Sequence, residues 1–335
     1  MVRSIQPLGF ELQWRSPSAF IVGGIGDHLI ALPALRALAV LMQGRLRLIC
    51  APTAREIFFS DIPLAGVHHI DKHYVAELRA SSRGRARDYA VLELAAAIGD
   101  CDLFLCFDRA VSRSTTVLLR AVQPKKSVGL LPGFDVEIPF DRARHAMDLA
   151  FTLPMELAEG LRIEEFAAPS AVPDAALELA KKLRADFPSD AVLLAVHADT
   201  KPDKAWPREK LAHALDEFLE RHRQVVGIVV GTDAFDGDMA HNRERILSCH
   251  GVPLSAAFAI IGVSDLFLGI DSCMLHVADL HRVPGVGLFG PTDPAEFGFR
   301  FARHLHVRAA TMNEISVAEV GSALEALWGC VFPDR

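Results

Sequence analysis

Short apolar runs alternate with amphipathic helical stretches along the whole chain, and few folds other than parallel sheets covered by helices accept that pattern. In the first half, residues 19–22 read as a strand and 27–43 as a helix, with Pro33 inside the helical pattern and expected to kink the helix or delay its start. Strands follow at 46–50, 102–107 and 127–130, with a helix over 115–122. A polar, Pro- and Ala-rich stretch at 167–173 reads as a linker, and a second alternation begins after it. Helices are predicted over 175–185, 207–221, 254–262 and 273–281, and strands over 192–197, 225–231, 266–270 and 286–289. A last helix, about 317–328, is placed so that it can pack back on the first domain. The expected architecture is α/β, with Rossmann-like domains over residues 1–166 and 174–335 whose strand ends face a central cleft, where ligands of such sheets bind.

A length of 335 residues suits two domains, and 51% hydrophobic with 23% charged residues suits folded cores. The net charge of −7 argues against a general nucleic-acid binder. Acidic and basic residues balance over 1–165, so the first half is the better place for an anionic partner. Six cysteines form no C-x-x-C pair and read as reduced, buried thiols of a cytosolic protein. The first 18 residues lack a signal-peptide core, and no apolar window is long enough for a membrane span, so membrane contact is expected to be peripheral at most.

The first chemical constellation is Gly23-Gly24-Ile25-Gly26-Asp27-His28, where a strand ends and a helix starts. Glycines there, Gly24 and Gly26 in particular, let the chain turn tightly and a ligand come close. A dinucleotide fingerprint fails, because Leu29 stands where its last glycine belongs and no acid ends the second strand. Asp27 has two readings: a helix N-cap, or a general base for an attacking hydroxyl.

The second is His197 to Pro207, which gathers Asp199, Thr200, Lys201, Asp203 and Lys204 before Trp206-Pro207. A hydroxyl and a lysine at a strand end suit a diphosphate, and a solvated polar loop is the alternative. The third is Asp271-Ser272-Cys273-Met274-Leu275-His276 followed by Gly290-Pro291-Thr292-Asp293-Pro294. A helix N-terminus beside Asp271 and Ser272 offers amides to phosphate oxygens, and Thr292 adds a hydroxyl from the next strand end. His276 lies one turn along and reads either as a pocket residue or as a core histidine. Asp233, Asp236 and Asp238 imitate a D-x-D metal motif, but as a loop after a strand they read as solvated, with a ribose contact, and no metal is expected.

Taken in order, these motifs resemble the ADP-heptose-dependent heptosyltransferases of glycosyltransferase family nine. Gly26-Asp27 with Pro33-Ala34-Leu35 resembles the family's G-D-x-x-x-x-x-P-A-L, Asp203 to Pro207 its D-K-x-W-P, Asp271 to His276 its D-[ST]-G-x-x-H, and Gly290 to Pro294 its G-P-T-D-P. The resemblance implies a GT-B fold, a cytoplasmic location and inverting transfer without metal or other cofactor. It also implies Asp27 as base, Lys204 on the donor phosphates, and Asp271, Ser272 and His276 around the nucleotide. Cys273 replaces the family's usual glycine, Asp199 a small hydroxyl residue, and about 15 residues precede the first strand where the family has none.

The implied reaction moves a sugar, heptose from ADP-heptose, to an acceptor hydroxyl through an oxocarbenium-like transition state. Lys204, Thr200 and the amides at Ser272 would hold the departing diphosphate, with Asp199, Cys273 and Thr292 as further donor-site residues. The acceptor is a saccharide, either the anionic lipopolysaccharide core or a soluble aminoglycoside-type metabolite. His28, Arg109 and Arg113 are its candidate contacts, with Arg83, Arg85 and Arg87 in a nearby loop. Alternatives are a same-fold transferase with another nucleotide sugar and a nucleotide-binding scaffold without chemistry.

Overall fold

The computed structural model describes residues 6–7, 14–52, 54, 59–70, 85–109, 113–198 and 202–334. They form two units, Met1–Ala171 and Val172–Arg335, so the division falls inside the expected linker.

The first unit runs β1 (Gln6–Pro7), β2 (Pro17–Ile21), α1 (Ile25–Leu41), β3 (Arg47–Cys50), β4 (Gly66–His69), α2 (Arg85–Ile98), β5 (Leu103–Cys106), α3 (Arg113–Val122), β6 (Lys126–Gly129), β7 (Val136–Glu137), α4 (Ala146–Met155) and β8 (Ala158–Glu159). Six strands pair in parallel in the order β4-β3-β2-β5-β6-β7, and β1 pairs antiparallel with β8. Alternate residues face opposite sides of a strand, so Phe20, Ile49, Phe104 and Cys106 pack on one face with Val91, Ala95 and Ile98 of α2 and Leu118 of α3. Leu- and Ala-rich α1 is buried almost all round, as befits a helix apolar on every side, and packs on α4. Pro33 neither delays nor ends α1, which starts at Ile25 and runs to Leu41, because burial of its apolar residues outweighs one missing amide bond. Buried Arg36 pairs with Asp61 at 2.8 Å and donates to the carbonyls of Phe166, Ala168 and Pro169 at 3.1, 2.6 and 2.6 Å, tying the end of the unit to α1.

The second unit runs α5 (Asp174–Ala185), β9 (Val192–His197), α6 (Arg208–Arg221), β10 (Val225–Gly231), β11 (Ile246–His250), α7 (Leu254–Gly262), β12 (Leu266–Ile270), α8 (Cys273–Leu280), β13 (Gly285–Phe289), α9 (Pro294–Phe297), β14 (His304–Arg308) and α10 (Val317–Val331). Its parallel sheet has the order β11-β10-β9-β12-β13-β14. Val192, Leu194, Val196, Leu268 and Val286 pack under α6 and α10, while α5, α7 and α8 form the other layer. In the last helix Val320, Leu324, Leu327 and Trp328 complete the core of its own unit. Irregular chain is held by buried carboxylates. Asp279 accepts from the amides of Arg300, Phe301 and Ala302, and Asp216 from those of Ala240, His241 and Asn242.

Numbered within its own sheet, each unit has the strand order 3-2-1-4-5-6 of the doubly wound dinucleotide-binding fold. The order reverses between β2 and β5 in the first unit and between β9 and β12 in the second. The carboxyl ends of those strands are where such sheets bind ligands.

Candidate active site

In the first unit, β2 leads through Gly23 to Gly24, the N-cap of α1. Asp27 is therefore the third helical residue and not the N-cap, and its carboxylate turns back so that Oδ2 accepts from Gly24 N at 2.7 Å. Oδ1 accepts from Arg109 Nη2 at 3.2 Å, across 82 residues of sequence. The Asp27 side chain keeps 40% of its surface exposed and that of Arg109 22%. Gly23 has a steric role that Gly24 does not share: a Cβ there would lie 2.3 Å from Asp27 Oδ2. The run of glycines was its only sequence signal.

His28 is placed elsewhere than at a ligand surface. Its ring is fully buried and Nδ1 donates to Gly24 O at 2.7 Å, so it ties down the first turn of α1. Burial pushes its imidazole below the ordinary histidine range. Arg113 opens α3, with its side chain outside the described residues. Arg85 and Arg87 begin α2 and are not in a loop, and Arg83 lies outside the described residues.

In the second unit, β9 ends at His197, whose Nδ1 donates to Val230 O at 2.9 Å. Asp199, Thr200 and Lys201 lie outside the described residues. Lys204 reaches across 67 residues to Asp271, with Nζ–Oδ2 at 2.5 Å, and the Asp271 side chain is only 8% exposed. Trp206 is buried, donating to Ile315 O at 3.2 Å, and fixes the loop that carries Lys204. Ser272 is the N-cap of α8 and its Oγ accepts from Met274 N at 3.3 Å. Cys273 follows at the first helical position, its thiol pushed up to about 11 by burial. His276 is 3% exposed one turn along. Thr292 lies in the turn after β13, its Oγ enclosed without a hydrogen-bond partner among the described residues. Asp293 caps α9 through Ala295 N at 2.9 Å and pairs with Arg308 at 3.0 Å.

Beside this loop a cavity of about 280 Å³ is lined by Ala198, Trp206, Arg208, Gly231, Asp233 and Phe235. Arg208, at the start of α6, bridges Asp233 at 3.1 Å and Asp236 at 2.8 Å. Two of the three aspartates of the D-x-D-like loop are thus ion-paired to one guanidinium.

Each unit brings one carboxylate and one cation together at the point where its strand order reverses, with opposite polarity. The acid follows the first strand in one unit and the fourth strand in the other. Such pairs position a proton acceptor and an anion-binding cation without net local charge.

The model of glycosyltransferase family 9 (heptosyltransferase) matches residues 91–323. A 99-residue stretch is 30% identical to lipopolysaccharide heptosyltransferase 3 of Escherichia coli (strain K12), a match that covers 27% of this chain and 28% of that protein. The family 9 glycosyltransferase of Veillonella parvula has a similar structure, at TM-score 0.70 and 17% identity over 93% of this chain and 97% of that one. The E. coli heptosyltransferase WaaC with ADP has TM-score 0.62 and 16% identity, over 92% and 99%. At these identities the structures establish the fold, two Rossmann-like units of GT-B type. With a family match over more than half its length, the chain belongs to glycosyltransferase family 9, the heptosyltransferases.

Proposed function

We propose that the protein is an inverting glycosyltransferase that transfers heptose from ADP-heptose to a saccharide hydroxyl, with Asp27 as general base. The observation that carries the reading is the pair of charged sites at the two sheet reversals, Asp27–Arg109 and Lys204–Asp271. The donor reading is supported by family membership and by the solved heptosyltransferase that holds ADP.

In the reaction the acceptor oxygen attacks the anomeric carbon opposite the diphosphate. The bond from that carbon to the diphosphate oxygen breaks, a bond to the acceptor oxygen forms, and the acceptor proton passes to Asp27. Its exposed carboxylate, with one oxygen anchored on Gly24 N, is suited to that transfer. Lys204 leaves Asp271 for the phosphates, and the amides that open α8 take further charge from the departing nucleotide. These groups carry the leaving-group charge in a scheme that does not call on a metal. Thr200 and Thr292 add hydroxyls to the phosphates, and Asp233 offers a carboxylate to the ribose. The acceptor is the anionic inner core of lipopolysaccharide, met on the cytoplasmic side; among the described residues no helix is long and apolar enough to cross a membrane.

Calorimetry with ADP, GDP and UDP, with and without Mg²⁺, tests the donor site: tight, metal-independent preference for ADP is expected, and no binding of any of the three overturns the reading. Asp27→Asn should cut turnover by at least about 100-fold while ADP affinity is kept. Near-normal turnover of that variant would remove Asp27 from the role of base.

A further inference from the structure

We infer that Arg109 and Gly23 form a seat that holds the Asp27 carboxylate in its reactive orientation, so that Arg109 is a positioning residue and not an acceptor contact. The inference rests on the proposed role of Asp27 as base.

Three observations meet at this carboxylate. Oδ2 is taken by Gly24 N at 2.7 Å, and Arg109 holds Oδ1 at 3.2 Å, so the plane of the group is fixed from two sides. Gly23 supplies the floor, since the atoms nearest a Cβ built there are Asp27 Oδ2, Cβ and Cγ at 2.3 to 2.4 Å. Any other residue at 23 displaces the acid or the turn that carries it. The Arg109 side chain is also the more enclosed partner, 22% exposed against 40% for that of Asp27, and so packs on the protein side of the acid.

The two residues that lead into Arg109 are anchored to the strand that precedes Asp27. Phe107 N donates to Phe20 O at 3.0 Å, and Val22 N donates to Asp108 Oδ1 at 3.2 Å. The end of β5 is thus fastened to the end of β2 on both sides of the reversal, and Arg109 comes next in the chain. An arginine meant to follow a mobile anionic acceptor would gain nothing from so tight a tether. An arginine meant to hold a neighbouring carboxylate within a fraction of an ångström requires one, because a misplacement of about 1 Å costs about 100-fold in rate.

The test compares wild type, Asp27→Asn, Arg109→Ala, Arg109→Lys and Gly23→Ala, with ADP-heptose as donor and a deacylated lipopolysaccharide inner-core saccharide as acceptor. Arg109→Ala is expected to lower kcat about 100-fold with the acceptor KM and ADP affinity unchanged. Added guanidinium ion should restore part of the loss, and Arg109→Lys should retain more activity than Arg109→Ala. Gly23→Ala should lose kcat comparably and gain nothing from guanidinium. A large rise in acceptor KM with kcat kept in Arg109→Ala would overturn the inference and make Arg109 an anion contact. If wild type transfers and Asp27→Asn is as active, the base reading fails instead. Crystal structures of Arg109→Ala and Gly23→Ala read the seat without turnover: a displaced or multiply oriented Asp27 side chain is expected, and an unchanged single rotamer in both overturns the seat.

Discussion

His281 makes the stability of the second unit sensitive to acid. It follows α8, and its ring packs on Gly262 at the end of α7, so closely that a Cβ there would sit 2.4 Å from the ring. Its Nε2 is buried with no hydrogen-bond partner among the described residues, and burial pushes its pKa down to about 4 from the ordinary 6.5. The unfolded chain takes up a proton below pH 6.5, whereas the folded chain resists until about pH 4. Well above pH 6.5 the residue contributes no pH dependence. As the pH falls through 6.5 toward about 4, stability falls by at most about 1.4 kcal/mol per pH unit, a loss of about 2 to 3 kcal/mol by pH 4.5. His281→Leu keeps the volume and removes the titration. Urea unfolding at pH 7.5, 6.5, 5.5 and 4.5, followed by the fluorescence of Trp206 and Trp328, should show the variant gaining on wild type by about 2 to 3 kcal/mol between the ends of the series. A difference that stays flat with pH would mean the folded protein protonates the ring as readily as the unfolded chain, and the burial argument would fail.

Arg36→Met should cost about 3 kcal/mol or more, because it strands the carbonyls of Phe166, Ala168 and Pro169 and leaves Asp61 unpaired; a lowered Tm measures it. Lys204→Ala should weaken ADP binding by about 10- to 100-fold in calorimetry, the worth of one hydrogen bond to a charged group, and unchanged affinity would remove Lys204 from the phosphate site. Iodoacetamide at pH 8 should modify exposed Cys330 well before Cys273, whose raised thiol pKa leaves little thiolate, as peptide mapping by mass spectrometry would show.

The sequence by itself determined the central strands, the helices that flank the proposed phosphate site and the order of the motifs. The strands β2, β3, β5, β6, β9, β10, β12 and β13 were all legible, because a strand buried on both faces must be a short apolar run. The four missed strands of the two sheets, β4, β7, β11 and β14, are their four edges. An edge strand packs on less of its surface, so sequences such as Gly66-Val-His-His69 and His304-Leu-His-Val-Arg308 carry little apolar signal. Helix α4 was missed for the opposite reason: it is apolar on every side and holds Pro154, so no 3.6-residue stripe marks it. Only the tertiary structure decided which groups meet. It turned Asp27 from N-cap to third helical residue, took His28 into the interior, and joined Asp27 to Arg109 and Lys204 to Asp271. Local pattern records how a residue is buried, whereas these partners lie 82 and 67 positions apart and are neighbours only because the strand order of each sheet reverses between them.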